Sequence, residues 1–62
     1  MKAKELRNMP VEDLRKALKE ARENLFTLRF RHAASQLEKV SALPAARHDV
    51  ARILTILKEK GA

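Results

Sequence analysis

The longest regular pattern in the chain is a stripe of apolar residues at helical spacing between Val11 and Ala34. Successive stripe positions are separated by alternating steps of three and four residues, the spacing that holds one helix against another. The pattern predicts an α-helix over about residues 10–34, with a length on the order of 35 Å. The rest of the chain must cover this stripe, which consists of Val11, Leu14, Leu18, Ala21, Leu25, Leu28 and His32.

A second apolar stripe predicts a second helix over about residues 42–60. Ser41 is a suitable N-cap, Pro44 falls in the first turn, where proline is tolerated, and Gly61 is a suitable stop. The segment between the helices, about residues 35–41, lacks the periodicity and is short enough to reverse the chain. The second stripe consists of Leu43, Ala46, Val50, Ile53 and Leu57, widened by Leu54.

The residues before the long helix predict a short separate element. The basic N-terminal segment is expected to form a single helical turn around Leu6, and Asn8-Met9-Pro10 then interrupts it. Glu12 and Asp13 follow in the first turn of the long helix, where the helix dipole favours negative charge. The expected fold is all-α. It is one domain over residues 1–62, a coiled-coil-like antiparallel hairpin of two helices with a short N-terminal helical turn.

The charge balance indicates the kind of partner. Fourteen Lys and Arg against eight Asp and Glu give a formal net charge of +6, which favours a polyanion and above all nucleic acid. An anionic membrane surface is a weaker alternative, since no tract is apolar and long enough to span a bilayer. Without cysteine, a disulfide or thiolate metal site is excluded. The N-terminal segment has no apolar core of a secretory signal, so we expect a cytoplasmic protein with a small core that gains order from its partner.

Basic residues follow one edge of the first stripe. Arg15, Arg22 and Arg29 recur every seven residues, with Lys19 close behind them, and such a ladder can face a phosphate backbone. An equally weighted alternative is that these side chains lie beside the stripe and pair with Glu23 or with acids of the second helix.

Several further side chains are expected to lie outside the stripes. The only aromatic residues, Phe26 and Phe30, form a second packing layer, a docking patch for RNA or protein, or an exposed pair, in that order of preference. On the second helix Arg52 and Ile56 are expected to face outward, which indicates a second partner. For Arg47 and Arg52 the alternative is a solvated helix face.

Catalytic chemistry finds little support in the sequence. His32 and His48 are the only histidines, and no further ligands are arranged to complete a metal site with them. His32 is expected to pack partly on the stripe at the helix end. Gly61 is the only glycine, so no glycine-rich phosphate loop exists. We expect neither an enzyme nor a cofactor.

Four blocks of sequence, in register over nearly the whole chain, carry a family resemblance. They are Met1-Lys2-Ala3-Lys4-Glu5-Leu6-Arg7, Leu25-Phe26-Thr27-Leu28-Arg29-Phe30, Ala33-Ala34-Ser35-Gln36-Leu37, and Arg47-His48-Asp49-Val50-Ala51-Arg52-Ile53 with Thr55 and Leu57. Together they resemble bacterial ribosomal protein L twenty-nine of the large subunit. The resemblance implies a helical hairpin on large-subunit rRNA near the exit of the peptide tunnel, beside another small ribosomal protein and in a region visited by nascent-chain factors.

The resemblance also bears on individual residues. Two departures from the family pattern stand out: Ser35 occupies a common glycine position, so we expect the long helix to end differently or to continue, and basic residues frequent around Pro44 and Ala45 are absent. For Arg15, Lys19 and Arg22, the expectation of RNA contact depends on the charge pattern alone. The rRNA-facing residues implied by the resemblance are Arg29, Arg47, His48 and Arg52, with Lys2 and Lys4.

The resemblance, together with the charge pattern, therefore implies a structural constituent of the large ribosomal subunit that binds rRNA by shape and phosphate contact, with no membrane or small-molecule partner. The alternative is a basic helical-hairpin interaction module. In that reading Phe26, Phe30 and Ile56 drive a homodimer or a four-helix bundle.

Overall fold

A computed structural model describes residues 2–62, and Met1, at the start of the predicted domain, lies outside them. These described residues form three helices, α1 (Ala3–Arg7), α2 (Val11–Ala33) and α3 (Ala42–Glu59). The two long helices pack side by side as a hairpin, and α1 packs against α3. The molecule measures 39 × 16 × 14 Å. This architecture confirms the predicted all-α hairpin with a short N-terminal turn, and within residues 2–62 no helix has the length and hydropathy needed to cross a membrane.

The two long helices begin differently. Pro10 directly precedes α2 with extended backbone angles, φ −61° and ψ 156°, and its carbonyl accepts a hydrogen bond of 3.0 Å from the amide of Leu14. Ser41 precedes α3 as predicted, but its side chain makes no capping hydrogen bond. The first two amides of α3 instead donate to the carbonyls of Lys39 and Val40, each at 3.1 Å. Turn geometry before the helix therefore replaces the expected serine cap.

The C-terminal end of α2 contradicts the expectation drawn from Ser35. The helix does not continue, because Ser35 adopts the left-handed conformation with φ 57°. Its amide donates to the carbonyl of His32 at 3.0 Å, and the amide of Gln36 donates to that of Arg31 at 2.8 Å. This pair of bonds is the Schellman motif, in which a glycine usually occupies the left-handed position. Ser35 thus performs the role of glycine and carries a conformational cost.

Helix α3 ends in the same motif with the usual residue. Gly61 has φ 74° and its amide donates to the carbonyl of Lys58 at 3.0 Å. The amide of Ala62 donates to the carbonyl of Leu57, also at 3.0 Å. The two helix ends differ in the side chain at the left-handed position and share their hydrogen bonding.

The core lies where all three helices meet. Leu14 of α2 and Ile53 of α3 are fully buried against each other's helices. Leu6 of α1 joins the same cluster and is 3% exposed. Towards the bend, Leu25 and Leu28 of α2 are only half-buried, although Leu43 and Ala46 of α3 are buried. The end of the hairpin that α1 covers is therefore the better packed end.

Three expectations about exposure are wrong. Ile56 does not face outward: it is 2% exposed, because α1 lies on that side of α3 and Leu6 packs in the same cluster. His32 is exposed, because it lies in the last turn of α2 beside the bend, where no turn of α3 covers it. Phe26 and Phe30 form no packing layer within the chain, being 72% and 65% exposed.

Candidate nucleic-acid interface

The basic ladder of α2 follows directly from its apolar stripe. Each residue of an α-helix is rotated by about 100° from the one before it, so the residues that follow successive stripe positions share one flank. Arg15 follows Leu14, and Arg22 follows Ala21, the two buried residues of α2. Within the stripe from Leu14 to Leu28, the residues that follow its members are Arg15, Lys19, Arg22, Phe26 and Arg29, all exposed.

Helix α3 adds cations to the same side of the hairpin. When two right-handed helices run antiparallel, the flanks that follow the stripe on each helix face the same side of the pair. Arg47 follows buried Ala46, and Lys58 follows buried Leu57. Both are exposed on the side of the α2 ladder. We call this surface the basic face, defined by Arg15, Lys19, Arg22, Arg29, Arg47 and Lys58.

Acidic residues concentrate on the opposite side. Asp13, Glu20 and Asp49 each directly precede a stripe position, which places them on the other flank of their helix. Glu12, which follows Val11 at the N-terminal end of α2, is an exception, and Arg31 and Arg52 precede stripe positions on the same flank as these acids. From Leu14 onward, the residues that follow the two stripes include no acid, so the cations of the basic face have no carboxylate among them.

Ion pairing within the chain does not neutralise the basic face. In residues 2–62, none of its six cations lies within ion-pair distance of a carboxylate, so the expected alternative of pairing with Glu23 or with acids of α3 is wrong. A salt bridge is found on the opposite side, where the Arg7 guanidinium donates to the Glu59 carboxylate. Its two N···O distances are 3.3 and 3.4 Å, and both side chains are about half exposed. The arginines of the basic face thus keep their forked donors available to an external anion.

A groove of about 300 Å³ lies between α1 and α3, away from the basic face. Its apolar surface includes Ala3 and Ile56, and Thr55 donates its hydroxyl proton to the carbonyl of Ala51 at 2.9 Å. The polar side chains lining it are Arg7, His48, Arg52 and Thr55.

The structure divides the nine predicted RNA-binding residues into three groups. Arg15, Lys19, Arg22, Arg29 and Arg47 share the basic face. His48 and Arg52 line the groove, and Lys2 and Lys4 are exposed at the α1 end of the molecule.

Two cations at these surfaces were not predicted from the sequence. Lys58 belongs to the basic face, and its position immediately after Leu57 is the signal that identifies it. Arg7 lines the groove, but its position became predictable only once α1 was known to pack against α3. The part of the chain that the structure describes contains no cluster of three His, Asp or Glu suited to a metal ion.

Comparisons with known proteins cover the same three helices. A family model described as ribosomal L29 protein matches residues 4–60. The large ribosomal subunit protein uL29 of Oleidesulfovibrio alaskensis is 61% identical over 62 residues, 100% of both chains. Its namesake from Nitratidesulfovibrio vulgaris strain Miyazaki F is 61% identical over 98% of this chain and 100% of the relative. That of Rubrobacter xylanophilus is 48% identical over 97% of this chain and 90% of the relative.

Proposed function

The chain belongs to the ribosomal L29 protein family, and from this premise we propose that its basic face binds the rRNA of the large ribosomal subunit. Family membership makes the chain a structural constituent of the large subunit and a component of translation, and not an enzyme. Its place is the cytoplasmic ribosome, where its partners are rRNA and other ribosomal proteins.

The run of exposed cations on the basic face, with no acid among them from Leu14 onward, is the observation that carries the rRNA proposal. Arg15, Arg22 and Arg29 lie along about 21 Å of one helix flank, a length that reaches several phosphates of one RNA strand. Arg47 and Lys58 widen this line into a surface two helices across. Cations crowded on one face repel each other in the free protein, and contact with phosphates would relieve that repulsion and release counterions.

The helical form of the surface favours recognition of RNA shape. The deep, narrow major groove of A-form RNA excludes side chains, so a straight ladder of guanidinium groups contacts phosphates and 2′-hydroxyls. Such contacts position a protein on folded RNA and carry little sequence information. The groove residues His48 and Arg52, together with Lys2 and Lys4, would supply a second and smaller rRNA contact at the α1 end.

A position near the exit of the peptide tunnel is a finer part of the proposal and rests on the family resemblance. At that position the chain would lie beside another small ribosomal protein and within reach of nascent-chain factors. Exposed Phe30 lies near the bend and is a candidate contact for such a neighbour. Ile56 is no longer a candidate, because α1 covers it.

Sedimentation of the tagged chain in a bacterium tests the proposal. We expect it to co-sediment with large subunits through a sucrose gradient at high salt, because a protein built into the subunit stays where a merely basic one is washed off. A variant with Arg15, Arg22 and Arg29 changed to Gln should shift toward the top of the gradient. Its matched control changes Lys16, Arg31 and Lys60 to Gln, with the same loss of charge, and should remain bound.

Two results would contradict the proposal. Recovery of the wild-type chain at the top of the gradient as a small oligomer would support the dimeric interaction module instead. Equal release of the two triple variants would mean that total charge, and not the basic face, holds the protein on the subunit.

A further inference from the structure

Phe26 is an exposed aromatic side chain within the basic face. It follows Leu25 on α2, which places it on the same flank as the arginine ladder, and it is 72% exposed. Arg22 precedes it by four residues and Arg29 follows it by three, so each guanidinium lies about one helical turn away along the helix. Neither arginine is paired with a carboxylate in residues 2–62. Phe26 is therefore an apolar platform between two available cations.

Phe30 makes a useful contrast because it has similar exposure and different surroundings. It is 65% exposed and lies one turn further along α2, but it follows Arg29 and is rotated further from the stripe. The side chains one turn to its C-terminal side are Ala33 and Ala34. Phe30 therefore lacks the flanking pair of cations that Phe26 has.

We propose that Phe26 stacks against an unpaired base of the rRNA while Arg22 and Arg29 hold the phosphates on either side of that nucleotide. The inference rests on the proposed rRNA contact of the basic face and adds the form of RNA that it takes. Aromatic rings accept any base by stacking, and a groove or ladder of cations beside them binds the backbone. An unpaired nucleotide matches this surface in both respects, since it presents an apolar face between two anionic groups.

Charge complementarity favours RNA over a protein at this position. An apolar protein patch would satisfy Phe26 but would leave two guanidinium groups without anions beside the contact. An A-form duplex would satisfy the arginines but would offer no exposed base to the ring. The nucleotide that fits is one extruded from a loop, a bulge or a junction.

Binding measurements with two RNA forms test the stacking. The probes are single-stranded oligouridylate and an A-form duplex of the same length, titrated with the full chain. Phe26→Leu keeps an apolar side chain without the ring, and we expect it to weaken binding of the single strand by about fivefold. Its affinity for the duplex should change by less than about twofold. Phe30→Leu is the matched control and should leave both affinities unchanged, and circular dichroism checks that both variants keep their helices.

The outcomes separate this inference from the function on which it rests. If the wild-type chain binds neither RNA, the proposed rRNA contact fails and the stacking fails with it. If the wild-type chain binds both RNAs and Phe26→Leu matches it on each, the stacking is wrong while the rRNA contact stands.

A crosslink in the assembled subunit provides a second test. A photoreactive phenylalanine analogue placed at position 26 should give an adduct with rRNA. An adduct with a neighbouring protein would overturn the inference and would assign Phe26 to a protein partner.

Discussion

The α1 side of the hairpin and the basic face differ in whether their side chains are covered or paired within the chain. On the α1 side the chain covers its own apolar surface, since Leu6 packs in the cluster that buries Ile56, and it pairs Arg7 with Glu59. On the basic face six cations are exposed and none pairs with a carboxylate of residues 2–62. The chain itself covers the apolar surface of the α1 side, whereas the cations of the basic face are available to an anionic partner.

This difference shows that net charge and the position of the charged residues on the surface are separate properties, and composition gives only the first. A net charge of +6 predicts an anionic partner but does not say where that partner lies. The order of residues around each stripe indicates where the anionic partner lies, because the residue after a stripe position and the residue before it fall on opposite flanks of the helix. Substitutions in the buried contacts and the ion pair of the α1 side should therefore alter stability, and substitutions on the basic face should have the larger effect on RNA binding.

The largest expected effect is the loss of the cover that α1 provides. Leu6→Ala should destabilise the fold by about 2–3 kcal/mol, because it removes a buried side chain at the meeting point of three helices. Leu54→Ala is the matched control on the other side of α3, where the side chain is 39% exposed, and should cost less than about 1 kcal/mol. Thermal unfolding followed by circular dichroism measures both. Equal losses would mean that α1 contributes no more than surface packing.

Charge reversal on the basic face should have the next largest effect. Arg22→Glu should weaken binding to purified large-subunit rRNA by about tenfold, since it replaces a phosphate contact with repulsion. Lys16→Glu makes the same change of charge outside the basic face and should weaken binding by less than about threefold. Both residues are exposed, so helix content should be unchanged in both variants. Similar losses of affinity would remove the distinction between the two sides.

A substitution at the bend should change the stability of the fold without altering the contacts of the α1 side or of the basic face. Ser35→Gly relieves the cost of a serine at φ 57° and should stabilise the fold by about 1 kcal/mol. Ser41→Ala is its control and should change stability by less than about 0.5 kcal/mol, since Ser41 makes no capping hydrogen bond. Urea unfolding compares the two. RNA affinity should be the same in both, and a change in affinity with Ser35→Gly would link binding to stability.

The smallest effect concerns the ion pair of the α1 side. Arg7→Gln should destabilise the fold by about 0.5 kcal/mol or less, because both partners are about half exposed and water screens their attraction. The loss should fade as salt concentration rises. Arg15→Gln, on the basic face, removes a cation that has no carboxylate partner within residues 2–62 and should not destabilise the fold. Unfolding curves at low and high salt give both results.

Periodicity made most of this fold predictable. The stripes around Leu14 and Ile53 indicate two helices that cover each other, and both of these side chains are fully buried. The arginine ladder followed from the same pattern, since Arg15 and its equivalents occupy fixed positions beside the stripe. Helical spacing is a local property, which sequence alone expresses well.

The features that were predicted wrongly depend on contacts between elements. Ile56 lies beside the main stripe, and only the packing of a five-residue helix against α3 buries it. His32 continues the stripe of α2, but no turn of α3 lies opposite to receive it. Ser35 takes a conformation that favours glycine, because two hydrogen bonds at the helix end compensate for its strain. The spacing of residues along the chain predicts none of these three features.

The salt dependence of rRNA binding tests the central claim most directly, because each phosphate contact contributes to the slope of the binding constant against salt concentration. A double variant on the basic face, Arg15→Gln with Arg22→Gln, is compared with Lys16→Gln and Arg31→Gln, which removes the same charge from elsewhere on α2. We predict that the slope falls by about 1.5–2 for the first pair and by less than about 0.5 for the second. Equal slopes would contradict a defined basic face and would mean that rRNA responds only to the total charge of the protein.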